Sequence, residues 1–461
     1  MLECFAAQSD QRAIPLIPVC RATFDAWLAR QSAKRRNWLT SSDFKIAGEA
    51  PCLIPGSDGL LDVIVIGVDS AQDLWSFGAL PARLPPGVYR LEADWPAEQQ
   101  AQAALGWGLG AYRFQRYKQV DQPLPRLMLS EDAASAVAQN EVEAIYLVRD
   151  LINTPAADMM PEHLADAAAR MTEVFGAQLQ EIVGDDLLTQ DYPAIHAVGR
   201  ASAHPPRLID ITWGHPENPK LTLVGKGVCF DSGGLDLKSS GGMRLMKKDM
   251  GGAAHVLGLS QLIMASKLPV RLRVLIPAVE NAVSGNAFRP GDIIDSRKGL
   301  TIEIDNTDAE GRLILCDALA EAASECPLLI IDFATLTGAA RIALGAELPG
   351  FFTESEAFAG ALANAAAHVH DPIWRLPLHA AYRSQLESEI ADILNSSPEP
   401  YGGAITAALF LQTFVPASVD WLHFDVMAWN NQSRPGRPRG GEAMGLRAVY
   451  AYLRKRFASQ S

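Results

Sequence analysis

The chain has 461 residues, of which 48% are hydrophobic and 20% charged, and its formal net charge is −13 at pH 7. This length predicts more than one domain, and the acidic balance disfavours general binding to nucleic acid or anionic membranes. The six cysteines include no CxxC pair, and no long apolar run is free of charges, so we expect a soluble cytoplasmic protein without disulfide framework, thiolate zinc site or membrane span.

The first part of the chain alternates short β-rich runs with helical ones. The pattern predicts strands over 13–19, 62–68, 87–93 and 126–130, and helices over 24–38 and 96–112. A helical pattern then runs from 131 to 152 and stops before Pro155, because the residue that precedes a proline avoids the α region. We therefore predict a small N-terminal α/β domain over 1–130 and a connecting helix over 131–155.

The remainder, 156–461, is predicted to be one larger α/β domain. Its strand patterns lie at 207–212, 220–224, 270–278, 301–304, 328–333 and 421–426. Its helical patterns lie at 161–175, 251–265, 312–324, 357–368, 404–414 and 446–457. This alternation predicts a mostly parallel central sheet covered by helices.

Two glycine-rich stretches of the larger domain contain unusually many charged residues. The first reads LVGKGVCFDSGGLDLKSSGGMRLMKKDMGGAA from residue 223, and the second reads NTDAEGRL from residue 306. They hold four carboxylates: Asp231, Asp249, Asp308 and Glu310. Charges beside apolar runs are costly unless a strong counter-charge gathers them, so the pattern predicts bound divalent metal.

Each carboxylate also has an ordinary structural interpretation. Asp231 fits a turn, Asp249 fits an N-cap, and Asp308 and Glu310 fit the first turn of a helix. On its own, capping is the favoured interpretation of the last pair. If the backbone there is extended instead, residues two apart point the same way and both carboxylates face one point. All four together, each near a strand end or helix start, favour metal.

A nitrogen ligand beside the carboxylates favours zinc, manganese or cobalt over magnesium. The Lys226 amine ligates only when neutral, which requires a strongly lowered pKa that two nearby dications would impose. Other chemistries are poorly supported, because the sequence has no HExxH, no GxSxG elbow and no Walker A loop. A Cys229–His255 thiol pair is conceivable, but a buried inert thiol is favoured.

At these residues the sequence resembles the leucyl aminopeptidase family of hexameric, two-metal cytosolic peptidases. GKGVCFDSGGLDLK, MKKDMGGAA and NTDAEGRL occur in the family's order and spacing, and RPGDII, DFATLTGA, GLGAYRFQRYK and LINTPAADMMP extend the resemblance. It covers nearly all of the larger domain and the end of the smaller one. The resemblance implies that the larger domain is catalytic. One departure is Ser239, where many members have a proline.

The resemblance assigns roles residue by residue. The implied metal ligands are Lys226, Asp231, Asp249, Asp308 and Glu310. Asp231 and Glu310 are implied to bridge two ions, Asp308 to serve the more exchangeable ion, and Lys226 with Asp249 the tighter one. Lys238 is implied to stabilise the oxyanion, and Arg312 to hold a bicarbonate that carries protons. The residues implied to lie near the substrate are Met246, Thr335, Leu336 and Gly338.

We therefore predict a metal-dependent aminopeptidase that removes the unblocked first residue from short peptides with a water activated by two Mn²⁺ or Zn²⁺ ions. Met246 and the apolar DFATLTG segment suggest a Leu- or Met-like first residue. Two alternatives stay open: a narrow dipeptidase acting on a substrate such as cysteinylglycine, and a binding protein. DNA binding is disfavoured by the net charge, although a hexamer would concentrate the basic cluster at 34–36.

Overall fold

The computed structural model describes residues 2–7, 12–46, 50–70, 73–118 and 120–458. They fall into two units, one within Met1–Tyr146 plus Gln432–Arg439 and the other within Leu147–Asn431 plus Gly440–Ser461. The boundary between the units falls inside one helix, α5 (Ala133–Asn153). The predicted two-part α/β architecture is confirmed, whereas the boundaries at residues 130 and 155 stay a prediction.

The first unit contains one six-stranded sheet. Its strands are β1 (Phe5–Ala6), β2 (Ile14–Cys20), β3 (Cys52–Pro55), β4 (Leu61–Val68), β5 (Val88–Leu91) and β6 (Arg126–Met128). Their spatial order is β1-β6-β5-β2-β4-β3, and only β3 runs antiparallel to its neighbour. Strand β4, which lies between β2 and the edge strand β3, is mostly buried, as its continuous apolar run predicts.

The helices of the first unit correct one prediction. They are α1 (Phe24–Ala29), α2 (Ala33–Ser41), α3 (Leu74–Gly78), α4 (Ala97–Ala111) and the start of α5. The single helix predicted over 24–38 is therefore wrong, since α1 ends before Arg30. Ser32 then takes an extended backbone conformation and its hydroxyl accepts a hydrogen bond from Arg35 N, which begins a new helix.

The second unit is built on a nine-stranded mixed sheet. Its strands are β7 (Gln178–Val183), β8 (Arg207–Trp213), β9 (Lys220–Gly225), β10 (Gly227–Asp231), β11 (Arg271–Asn281), β14 (Leu329–Ala334), β15 (Gly350–Phe352), β16 (Trp374–Arg375) and β18 (Asp420–Asp425). The order is β16-β15-β18-β14-β9-β11-β8-β7, with β10 beside β11. Strands β18, β14, β9, β11 and β10 are parallel to their neighbours within this group, and antiparallel pairs occur at β7–β8, β8–β11 and β15–β18.

The remaining strands form two small sheets. They are β12 (Ile293–Asp295), β13 (Thr301–Glu303) and β17 (Ile393–Leu394) in one sheet, and β19 (Trp429–Asn430) and β20 (Gly440–Gly441) in the other. The strand predicted at 301–304 thus exists as β13, but it lies outside the central sheet. Strand β13 nevertheless leads directly into the NTDAEGRL motif, so the small sheet positions that motif.

The helices of the second unit include the six that the sequence predicted, within two residues at each end, and four short helices that it did not predict. They are α6 (Pro161–Phe175), α7 (Asp186–Thr189), α8 (Pro193–Gly199), α9 (Ser240–Met243), α10 (Gly251–Ala265), α11 (Glu310–Ser324), α12 (Gly338–Leu344), α13 (Glu356–His368), α14 (Gly403–Gln412) and α15 (Leu446–Ala458). The four that the sequence did not predict are α7, α8, α9 and α12. Among the described residues, no helix has the length and apolar character needed to cross a membrane.

The parallel strands bring their carboxyl ends to one edge of the central sheet. Strand β9 ends immediately before Lys226, β10 ends at Asp231, β14 ends immediately before Thr335, and β18 ends at Asp425. Ligand sites of open α/β sheets lie at this edge. The fold therefore places Lys226 and Asp231, from the first glycine-rich stretch, at the same sheet edge as the DFATLTGA segment.

A buried histidine gives the second unit a predictable response to acid. His255 of α10 is fully buried, its Nδ1 lies 2.6 Å from the Gly251 carbonyl oxygen, and its Nε2 accepts from Met444 N at 2.9 Å. Burial lowers the pKa of His255 to about 4, although the bond to Gly251 opposes the shift. The folded pKa lies below the unfolded one, so the stabilisation is complete above about pH 6.5 and is lost as the pH falls through 4.

We expect this histidine to cost the protein about 3 kcal/mol of unfolding free energy between pH 7 and 4, since one pKa unit corresponds to about 1.4 kcal/mol. Urea unfolding of the wild type and of His255→Gln, followed across this range, measures the difference in slope. The variant should lose less stability on acidification. Parallel slopes would contradict the neutral buried imidazole.

Candidate metal centre

Lys226 lies at the centre of the first charged cluster. Its Nζ is 2.7 Å from Asp249 Oδ2 and 2.9 Å from Glu310 Oε1, and it donates to the Thr335 carbonyl oxygen at 3.1 Å. All of these side chains are buried. Burial lowers the pKa of Lys226, but Asp249, Glu310 and Asp231 together raise it above its usual range. In this arrangement the carboxylates favour the ammonium form.

Lys238 joins the other two carboxylates. Its Nζ lies 2.9 Å from Asp231 Oδ2 and forms a close ion pair with Asp308. Burial lowers the pKa of Lys238, and the charges of Asp231 and Asp308 reverse this into a raised pKa. Asp231, Asp308 and Glu310 each offer a carboxylate oxygen within 4.8 Å of the others. The two lysine-centred groups are thus parts of one site.

Glycines keep the site tightly packed. A Cβ on Gly311 would lie 2.5 Å from Lys226 Cε, so a larger residue at this position would displace the lysine. A Cβ on Gly252 would lie 2.0 Å from the Phe333 carbonyl oxygen. A larger residue at this position would therefore prevent α10 from packing against strand β14. Close packing therefore requires glycine at these two positions, one in each motif.

The backbone of the NTDAEGRL motif is not extended, which corrects one prediction. Asp308 lies in a turn and Glu310 is the first residue of α11, so the alternation of an extended chain does not apply. Their carboxylates converge because the turn and the first helical residue face the same side. Neither carboxylate caps the helix, since the N-cap position is Ala309 and no side chain hydrogen-bonds there, but Glu310 does lie in the first turn as the structural interpretation expected.

The protonation equilibria of the carboxylates reflect their crowding. Burial and the charge of Asp231 raise the pKa of Asp308 to about 6 against the opposing Lys238. Burial and Asp231 also raise the pKa of Glu310 well above its usual range. Asp249 is the exception, because Lys226 more than offsets burial and lowers the pKa of its carboxyl. Two lysines therefore do not neutralise the four carboxylates fully.

The residues present fit divalent cations. Asp249 Oδ2 and Glu310 Oε1 are buried against Lys226 Nζ, whereas the buried Glu310 Oε2 has no partner among the described residues. The lone pairs of Glu310 Oε2 are left for a cation, and an additional positive charge would relieve the repulsion that raises the pKa of Glu310. Oxygen ligands with one amine nitrogen suit manganese or zinc.

Arg312 lies in the first turn of α11 and is 7% exposed. Its Nη1 donates to the Asn395 carbonyl oxygen at 2.7 Å, whereas its buried Nε has no hydrogen-bond partner among the described residues. Burial lowers the pKa of Arg312 to about 10, against the opposing charge of Glu310. An unpaired buried N–H on a cation is a natural contact for a small anion.

The predicted substrate residues lie on two segments that meet the metal cluster. Met246 begins the 3₁₀ segment Met246–Met250, which contains Asp249, and its side chain is half-buried. Thr335 follows β14, and its hydroxyl donates to Asp249 Oδ1 at 2.7 Å. Leu336 N donates to Asp425 Oδ1 at 3.1 Å, and the exposed Gly338 begins α12.

The sequence prediction missed the polar residues that hold the cluster in place. Asn281 Nδ2 donates to Asp231 Oδ1 at 2.9 Å and to the Thr307 carbonyl oxygen at 3.1 Å. Asn395 Oδ1 accepts from Asp305 N at 2.8 Å, which anchors the loop that follows β13. Asn281 ends the long apolar strand β11, and a polar residue at that position is a signal that the sequence offered. Asn395 has no comparable signal.

Comparison with known proteins identifies the family. Residues 146–450 match the catalytic domain of the cytosol aminopeptidase family, and residues 14–130 match the N-terminal domain of M17 aminopeptidases. The chain belongs to the cytosol aminopeptidase family. It is therefore an aminopeptidase, a hydrolase that acts on peptide bonds, and the predicted family resemblance is confirmed.

Relatives of the family match along most of the chain. A probable cytosol aminopeptidase of Syntrophotalea carbinolica is 42% identical over 380 residues, 78% of this chain and 76% of that protein. Another from Synechococcus sp. strain CC9311 is 35% identical over 453 residues, 93% of this chain and 89% of that protein.

Two solved structures extend the comparison to the fold. Cytosol aminopeptidase from Coxiella burnetii superposes with a TM-score of 0.96 at 50% identity, and the match covers 99% of this chain and 100% of that one. The bottromycin maturation enzyme BotP in complex with Mn superposes with a TM-score of 0.87 at 33% identity over 96% and 99% of the two chains. Both the small and the large unit therefore have their counterparts in this family.

Proposed function

We propose that this aminopeptidase holds two divalent metal ions in the carboxylate cluster and uses them to release the first residue of short peptides. The observation that carries the proposal is the buried Glu310, whose Oε2 has no partner among the described residues and whose Oε1 lies 2.9 Å from the Lys226 ammonium, while three other carboxylates stand nearby. The residues that would hold the ions are Lys226, Asp231, Asp249, Asp308 and Glu310. The Mn-bound structure of the similar enzyme BotP supports manganese as a first choice.

Bound divalent ions supply a nucleophile from water near neutral pH and polarise the scissile carbonyl. The chain's own residues complete the chemistry. Lys238, held as an ammonium by Asp231 and Asp308, is placed to donate a hydrogen bond to the carbonyl oxygen as negative charge develops on it. Asp308 is the most accessible of the four carboxylates, so it faces the side from which a peptide enters.

Arg312 is proposed to hold a bicarbonate through its unpaired Nε. When bound, this anion supplies a base and acid for proton movement between water and the leaving amine. The contact from Arg312 Nη1 to the Asn395 carbonyl oxygen fixes the guanidinium plane, so the Nε–H keeps one direction. A free peptide N-terminus, the homohexamer and the cytoplasmic location belong to the same proposal and are supported by family membership.

The proposed preference for a Leu- or Met-like first residue depends on Met246 and on Leu336. Asp332, Phe333 and Ala334, the first three residues of the DFATLTG segment, belong to strand β14 and are buried in the core. These three residues do not support the preference, because core residues do not contact a substrate, whereas the partly buried Leu336 follows the strand.

Metal removal tests the proposal directly. We expect chelator-treated protein to lose hydrolysis of amino-acid p-nitroanilides and to regain it with Mn²⁺ or Zn²⁺, because the carboxylates lose the cations they gather. Metal analysis of the restored protein should give two ions per subunit. Sedimentation of the same sample reports the oligomeric state.

Activity that survives complete removal of metal would overturn the proposed mechanism. Restored protein with two ions but no turnover of any peptide would also contradict it. A single bound ion with full activity would refute the two-ion part alone.

A further inference from the structure

Asp425 is a buried carboxylate outside the proposed metal ligands, and every hydrogen bond that it accepts from a described residue comes from one turn. It ends strand β18 and is 3% exposed. Its Oδ1 accepts from Leu336 N at 3.1 Å and from Thr337 N at 3.2 Å, and its Oδ2 accepts from Thr337 Oγ1 at 2.6 Å. Bonds to a buried carboxylate are stronger than neutral ones, so Asp425 holds this turn firmly.

The turn connects strand β14 to helix α12. Strands β14 and β18 are parallel neighbours, and Ala334 pairs with Asp425 in register, so the carboxylate lies beside the last residue before the turn. Thr337 Oγ1 also accepts from Ala340 N at 3.1 Å, which caps α12. Asp425 therefore fixes the end of a strand, the turn and the start of a helix in one arrangement.

The other side of the turn contacts the metal cluster. Thr335 Oγ1 donates to Asp249 Oδ1 at 2.7 Å, and the Thr335 carbonyl oxygen accepts from Lys226 Nζ at 3.1 Å. The turn therefore lies between Asp425 and the cluster. It also contains Thr335 and Leu336, two of the residues that the sequence predicted near the substrate.

Peptide geometry determines where the carbonyl groups of the turn point. The peptide bonds here are trans, and a planar trans peptide directs its N–H and its C=O to opposite sides. The Leu336 N–H points to Asp425, and the Thr335 carbonyl of the same peptide points to Lys226. The Thr337 N–H points to the same Asp425 oxygen, so the Leu336 carbonyl also points away from Asp425. No described residue donates a hydrogen bond to that carbonyl oxygen, which leaves it for a ligand.

We infer that Asp425 is a positioning residue for peptide hydrolysis, which holds the Leu336 carbonyl oxygen where it accepts the N–H of the scissile amide. The inference rests on the proposed function of the cluster, because a peptide whose scissile carbonyl lies at the metal ions has its adjacent N–H beside the turn. An acceptor that is fixed in advance needs no reorganisation when the substrate binds. An ester has no N–H, so it gains nothing from this contact.

The test compares kcat/KM for leucine N-methylamide and leucine methyl ester, which differ only in N–H against oxygen, with the manganese-restored enzyme. Asp425→Ala should lower the amide value by about 30-fold and the ester value by less than about threefold. Asp425→Asn keeps an acceptor oxygen for both backbone N–H groups and should recover most of the amide value. Asp425→Ser keeps a small polar group but cannot reach both N–H groups, so it should show the selective loss even if the alanine variant does not fold.

Asp371→Ala is the matched control for stability. Asp371 is also buried, and it accepts from Gly445 N, Arg447 N and Ala448 N at the start of α15. None of these partners belongs to the turn or to the cluster. The control should lower the unfolding free energy and keep the wild-type ratio of amide to ester.

The outcomes separate this inference from the proposed mechanism. Amide and ester values that fall equally in the Asp425 variants, or that do not change, would overturn the inference and leave the metal mechanism standing. A wild type that holds two ions and hydrolyses neither compound would instead overturn the mechanism. Calorimetric titration of that protein would then decide the inference, since the amide should bind more tightly than the ester in the wild type and lose this advantage in Asp425→Ser. Equal binding of the two compounds to the wild type would refute it.

Discussion

Glu310→Gln is expected to lower kcat/KM by about a thousandfold, measured on the best p-nitroanilide substrate with saturating Mn²⁺. The amide keeps the size of the side chain but removes one charge and one acceptor oxygen from a residue that we propose as a metal ligand. Loss of Lewis-acid assistance amounts to several kcal/mol of transition-state stabilisation, and each tenfold corresponds to about 1.4 kcal/mol. Metal analysis should show fewer ions per subunit than in the wild type.

The same substitution should not destabilise the fold. Burial and Asp231 raise the pKa of Glu310 well above its usual range, so its charge is unfavourable in the ion-free protein. Lys226 also keeps its contact with Asp249 at 2.7 Å. Asp305→Asn, five positions earlier on the same loop, is the matched control and should retain activity. A Glu310→Gln enzyme with full activity and two bound ions would exclude Glu310 from the metal site.

The regular elements of the larger unit could be predicted from the sequence because their signals are local. Helix α10 begins at the Gly251 and ends at the Ala265 that the apolar pattern indicated, and α6 covers Pro161–Phe175 as predicted. The edges of the central sheet could not be predicted in the same way. The half-exposed β7 has little apolar periodicity, and β15 and β16 have only three and two residues. Their pairing depends on neighbours that are distant in sequence.

The membership of the candidate site was better predicted than its geometry. The predicted metal ligands do come together, because parallel strands end at one edge of a sheet. They are Lys226, Asp231, Asp249, Asp308 and Glu310. The extended backbone expected at Asp308 was wrong, since α11 starts two residues earlier than the pattern suggested. The pairing of Lys238 with Asp231 and Asp308 was not predictable either. Such contacts are set by side-chain directions after the sheet is assembled.

The buried Lys248 shows another limit of sequence reasoning. In the motif MKKDMGGAA it follows Lys247 directly. The sequence alone does not show which of the two lysines donates to a backbone carbonyl and which is buried without a partner. Burial makes the distinction, since Lys248 is 1% exposed and unpaired among the described residues, whereas Lys247 donates to Asn153.

Lys226→Met is expected to lower the unfolding free energy by about 3–5 kcal/mol in the presence of chelator. Methionine keeps the unbranched shape that fits beside Gly311, so the change removes charge and leaves the packing nearly intact. Asp249 and Glu310, both buried, then lose the ammonium that lies 2.7 and 2.9 Å from them. Urea unfolding followed by tryptophan fluorescence measures the difference.

Added Mn²⁺ should reduce this deficit, because a cation that binds only the folded state stabilises it and supplies the missing positive charge. Lys220→Met is the matched control, since the Lys220 Nζ donates to the Glu325 carbonyl oxygen and lies outside the cluster. It should lose about 1 kcal/mol and show the wild-type response to Mn²⁺. Equal losses for the two variants, with equal responses to Mn²⁺, would mean that the charge of Lys226 does not neutralise the buried carboxylates. The cluster would then need another source of positive charge in the folded protein.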